Sequence, residues 1–146
     1  MSDATPADLV ARTLRDLCTV LSADPVTVET VAHHVGDIDE VLPEGMGLVV
    51  RPRATWTAKA TVSPVPGSAV PHVVSFEVGP SAAGLEVAAL EAHFGAAKTV
   101  PSHHLDDPER VAWTVDDGTS THLCEIMALS SESGVKRLNV MRDLRL

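Results

Sequence analysis

Seven histidines stand among 146 residues. His33 and His34 are adjacent, as are His103 and His104, while His72, His93 and His122 stand singly. A transition-metal centre needs three or four nitrogen or sulfur donors converging on one point. Neighbouring histidines on a helix diverge by about 100°, so His33 and His34 do not chelate one ion together, and no HxxxH spacing is present. His34 and His93 each precede a glycine by two residues (Gly36, Gly95). There an imidazole can meet the last carbonyls of a helix and its negative dipole end. His103 and His104 lie with Asp106 and Asp107 in the polar stretch VPSHHLDDPER, a loop suited to touching a partner. The sequence holds no GxSxG elbow, P-loop, dinucleotide glycine fingerprint or EF-hand loop. Cys18 and Cys124 match no CxxC spacing, and each falls on an apolar face, so buried reduced thiols are expected. The expectation is a protein without catalytic residues, resident metal or cofactor.

Charge narrows the partners. Lys and Arg number 11 against 20 Asp and Glu, a formal charge of −9. Residues 1–50 carry nine of those acids and only Arg12 and Arg15 as bases, a local −7. Aromatic residues make up 3% of the chain and tyrosine is absent. Without a cationic patch or a stacking platform, nucleic-acid binding is excluded. The acids Asp37, Asp39, Glu40 and Glu44 follow a helical segment and form the densest candidate surface for a basic protein partner. Asp116 and Asp117 read as turn chemistry. No apolar run approaches the roughly 20 residues of a membrane span. The start MSDATPADLV carries carboxylates where a signal peptide carries cations. A soluble, cytoplasmic protein with no membrane partner is expected.

The elements that must position these residues follow from periodicity. Thr5, Pro6 and Asp8 form a helix start, and Val10, Leu14, Leu17 and Leu21 recur on one face, predicting a helix over 6–22. Asp24 and Pro25 repeat the signature before a shorter helix that Gly36 ends in a left-handed stop. From residue 48 the period becomes that of strands: LVVRPR, TWTAKATVS and PHVVSFEVG. A third helix, LEVAALEAHFG, precedes three further strands, RVAWTV, THLCEIMALS and GVKRLNVMRDLRL. Trp56 and Trp113 read as core anchors first and interface residues second.

An internal repeat emerges when the chain is slid against itself. Val28 falls on Val87, Val31 on Leu90, His34 on His93 and Gly36 on Gly95. A second offset places Ala60 and Val62 over Cys124 and Ile126, and Val74 and Phe76 over Leu138 and Val140. The predicted fold is therefore a single α+β domain over 1–146: an N-terminal helix, then two helix-plus-three-stranded-meander units (α-αβββ-αβββ) over 25–80 and 84–146. Its antiparallel sheet carries helices on one face. Over residues 25–146 this layout resembles that of bacterial inhibitor and immunity-type proteins and of small lipoprotein domains built on helix-and-sheet repeats. The likeness is in layout alone and transfers no site residue.

These readings lead to a non-enzymatic protein-interaction module of inhibitor, immunity or chaperone-like kind. The expected contact residues are Asp37, Asp39, Glu40, Glu44, His103, His104, Asp106, Asp107 and Trp56. The alternative is a small-ligand or metal-binding protein using histidines on a concave sheet face. A homodimer through the edge of the last strand is a further option, with Lys136, Arg137, Arg142 and Arg145 available to blunt that edge.

Overall fold

A computed structural model of the chain describes residues 5–100, 109–115 and 122–144. Helix α1 (Pro6–Leu21) begins as the sequence predicts, on a capping box. The Thr5 hydroxyl accepts the Asp8 N–H at 3.2 Å, and the Asp8 carboxylate accepts the Thr5 N–H at 3.0 Å. Its buried stripe is Val10, Leu14, Leu17 and Leu21, joined by Ala11 and Cys18. Helix α2 (Val28–Val35) starts later than expected, because Thr27 and not Asp24 is the N-cap, its hydroxyl accepting the Thr30 N–H. Helix α3 spans Val87–Phe94. Gly36 ends α2 with φ 174°, which is extended and not left-handed, so the expected stop is corrected. Glycine is needed there because a Cβ would sit 2.0 Å from the Arg51 carbonyl oxygen. Gly95, at φ 88°, is the one of the two that requires the left-handed region.

Eight antiparallel strands form one sheet: β1 (Gly36–Val41), β2 (Leu48–Pro52), β3 (Thr57–Pro64), β4 (Pro71–Val78), β5 (Lys98–Thr99), β6 (Glu109–Val115), β7 (His122–Ser131) and β8 (Gly134–Leu144). Their order is β1-β2-β3-β4-β8-β7-β6-β5. The six expected strands are present, and β1 and β5 are added at the two edges. Neither edge strand has the alternation that marks a half-buried strand: β1 reads GDIDEV, and β5 has two residues. The last strand is not an edge. β8 is hydrogen-bonded to β4 on one side and β7 on the other, so the homodimer route through its edge is closed.

The helices cover one face of the sheet. Val50, Ala60, Val62, Val74, Phe76, Leu138, Val140, Ile126 and Ala128 point toward them and form one core with the α1 stripe. Trp56 is 2% exposed, its indole N–H donating to the Thr13 hydroxyl at 3.0 Å and its ring 5.2 Å from that of Phe76. Trp113 is likewise buried and donates to the Gly95 carbonyl at 2.8 Å. Polar partners for both indole N–H groups let these large rings sit in an apolar core.

The cysteines are not reduced thiols. Cys18 of α1 and Cys124 of β7 form a disulfide across 106 residues of sequence, with Cα atoms 5.4 Å apart. The assignment of each cysteine to an apolar face was sound, but α1 lies on the sheet so that the two faces meet. One strand over, Arg142 is paired in register with Cys124. Its guanidinium donates to the Leu21 carbonyl at 2.8 Å and the Ala23 carbonyl at 3.1 Å, satisfying carbonyls at the end of α1. No basic residue lies in the last turn of α1 itself. No helix among the described residues is long and apolar enough to cross a membrane.

Candidate protein-binding surface

Among the described residues five large apolar side chains are exposed: Leu9, Val41, Met46, Val65 and Val70. Four of them lie at one end of the sheet. Val41 closes β1 and Met46 precedes β2; Val65 follows β3 and Val70 precedes β4. Because β2 and β3 pair in register, Leu48 opposite Val62, the two turns lie side by side. Hydrogen bonds close both: Leu42 N–H to the Gly47 carbonyl at 2.9 Å, and Val65 N–H to the Val70 carbonyl at 2.8 Å. Val41 is 71% exposed and Met46 64%, and with Val65 and Val70 at the same end of the sheet they are gathered and not singly scattered.

Carboxylates flank this apolar tip. Glu40 is exposed on β1, and a bulge between Ile38 and Glu40 turns the strand beside Asp39. Glu44 is exposed in the 3-10 turn Pro43–Gly45 and is the one non-glycine among the described residues with positive φ, at 57°. A side chain in that region costs about 1–2 kcal/mol relative to glycine, and here a carboxylate is kept where glycine would be cheaper. Asp39 is held by Arg51 at 3.4 Å, an exposed pair of little energetic weight.

The structure thus brings Asp39, Glu40 and Glu44 together at one tip, with Asp37 two residues back on β1. Sequence reasoning located these acids but missed their apolar companions. The signal available was isolated aliphatics inside turns, Met46 between two glycines and Val65 and Val70 around Pro66–Gly67. His103, His104, Asp106 and Asp107 lie outside the described residues. The strands flanking that stretch, β5 and β6, are at the opposite edge of the sheet from β1. Of its two readings Trp56 takes the first, a core anchor, and not that of a contact residue: it is buried under α1.

The described histidines have structural partners or surface positions. His93 meets the Asp8 carboxylate across the α1–α3 contact at 2.9 Å. The Asp8 carboxyl is held below its ordinary range, first by the Thr5 backbone N–H, then by the Thr5 hydroxyl, with His93 adding to both. The rings of His34 and His93 do not cap their own helices. Instead Arg53 donates to the His34 carbonyl at 3.0 Å, and Arg15 donates to that of His93 while lying over the Phe94 ring. No group of three or more His, Cys, Asp or Glu among the described residues is placed to hold a metal. A cleft of about 320 Å³ beside α1 is lined by Asp16, His34 and Arg53, but the Arg53 guanidinium is already engaged by the His34 and Gly36 carbonyls. It offers no unengaged cation.

In comparisons with known proteins, no protein-family model, no curated protein and no solved structure matches this chain.

Proposed function

We propose that this protein is a non-enzymatic interaction module that binds a protein segment carrying apolar anchors among basic residues, at the tip formed by the β1–β2 and β3–β4 turns. The observation that carries the reading is the gathering of Val41, Met46, Val65 and Val70 beside Asp39, Glu40 and Glu44. Apolar side chains supply the desolvated centre of such an interface and charges its rim. The rim steers a basic partner and makes association salt-dependent. The left-handed Glu44 supports it further, since strain held at a surface turn is a mark of use. An inhibitor, immunity or chaperone-like role is the kind of function such a surface would serve.

Calorimetric titration tests it. A synthetic peptide alternating Lys and Leu should bind, the same peptide with Glu for Lys should not, and Val41→Ser with Met46→Ser should weaken the first by about tenfold or more. Equal binding of both peptides, or no effect of the double substitution, rejects the proposal.

We also infer that residues 25–80 and 84–146 descend from one helix-plus-strands unit. The mirrored strand order supports this, α2 leading into β1–β4 and α3 into β5–β8. So does the central pairing: Val74 opposite Val140 and Phe76 opposite Leu138 exchange with one another under the 64-residue offset. The outer strands need other offsets. Ala60 faces Phe76 as Ile126 faces Val140, two residues from the alignment by sequence.

A further inference from the structure

Among the described residues no layer covers the face of the sheet away from the helices, and the residues of that face are laid out by the strand registers. One row runs Val49–Thr61–Ser75–Asn139–Met127–Ala112 across six strands without a charge. The row beside it, Ser63–Val73–Met141–Glu125–Thr114, holds a single one. Charges gather in the row on the other side: Arg51, Lys59, Glu77 and Arg137, then Leu129 and Arg110. Cations and carboxylates nearly balance on this face, Asp37, Asp39, Glu40, Glu77, Glu125 and Asp143 against Arg51, Lys59, Arg137, Arg110 and Lys98. Nearly all of the chain's −9 therefore lies elsewhere.

Two further features mark this face. Val49 and Ala112 are buried, at 9% and 8% exposure, yet belong to no part of the helix-side core. Among the described residues the buried side-chain polar atoms without a hydrogen-bond partner are Asn139 Oδ1 and Arg110 Nε, and both are on strands at positions facing this way. A native structure leaves few such atoms unpaired, and Asn139 sits at the middle of the uncharged row.

We propose that this face is an interface with a second copy of the same chain, the two sheets packed face to face. Two copies carrying −9 each repel over every acidic surface, and the nearly balanced face is where that repulsion is least. The area suffices. Six strands at about 4.8 Å and three rows at about 6.8 Å cover roughly 590 Å² per copy, or about 1,200 Å² in total, the lower bound of a stable interface. Uncharged small and flexible side chains suit sheets about 10 Å apart, with the charged row at the rim. In an isologous pair whose two-fold axis passes near Ser75 and Asn139, these residues meet their own copies. The apolar tip of Val41, Met46, Val65 and Val70 lies at the end of the sheet, and Asp39 and Glu40 border both it and the interface.

Analytical ultracentrifugation tests this directly. The intact protein should sediment at twice its 15.4 kDa at concentrations of about 100 µM, with little dependence on salt. Thr61→Lys and, separately, Met127→Lys should weaken the dimer at least about tenfold while leaving the circular-dichroism spectrum and melting curve of a folded chain. A monomer at that concentration overturns the proposal. So does a dimer that both folded variants leave intact, or one that Val41→Ser with Met46→Ser dissociates.

Discussion

Cys124 is bonded to Cys18, and its neighbour in register, Arg142, caps the same helix at Leu21; α1 is thus fixed to the sheet by a covalent and a polar clamp one strand apart. The disulfide closes a loop of 106 residues. On chain-entropy grounds a loop of that length contributes about 4–5 kcal/mol. Cys18→Ser or Cys124→Ser should lower the melting temperature by many degrees, and a reductant should bring the intact protein to the same value. Maleimide should label neither cysteine in denaturant until the protein is reduced.

Arg142 presents only 9% of its side chain to solvent. Arg142→Gln removes a charge-assisted donor from two carbonyls and should cost about 1.5–3 kcal/mol by urea denaturation. Lysine should restore part of this, since an ammonium reaches one carbonyl but has no planar fork for two.

Trp56 fills the space between α1 and Phe76, so Trp56→Ala should destabilise by about 3–5 kcal/mol. Thr13→Val removes the indole's acceptor and leaves the packing, costing about 1–3 kcal/mol. The order of these two losses, measured by the same urea titration, separates cavity from hydrogen bond.

Asp8 gives a pH dependence with a definite sign. Its folded pKa is depressed, so its stabilising contribution is present above the unfolded value, near 3.9, and is lost as pH falls through the lower folded value. Asp8→Asn should therefore lower the melting temperature at neutral pH, and the gap from the intact protein should close below about pH 4.

Glu44 occupies a backbone region that glycine adopts freely. Glu44→Gly should raise stability by up to about 1 kcal/mol while reducing affinity for a basic peptide. A substitution that improves folding and harms binding would separate the role of this residue from that of the turn.

What could be read from the sequence tracks how strongly one residue constrains its neighbours. The cap at Thr5 and the stripe through Leu21 are local, so α1 was legible within one residue of its end. Central strands alternate because one face meets helices, and Phe76 and Ile126 were readable for that reason. β1 was not: as an edge strand it is charged at Asp37, Asp39 and Glu40, the composition that discourages edge pairing and that equally describes a loop. The disulfide depends on how α1 lies over β7, which no local pattern encodes. Of the site, the acids were legible by their density. The apolar half was not, because Met46 and Val70 are isolated aliphatics until the turns are set side by side.

Backbone amide chemical-shift mapping with the Lys–Leu peptide tests the central claim most directly, since it reports where a partner sits without knowing which partner it is. The account predicts saturable shifts confined to residues 39–47 and 64–71, diminished by salt and moved to at least about tenfold higher peptide concentration by Val41→Ser with Met46→Ser. Shifts centred on any other part of the surface, or none at saturating peptide, would contradict it.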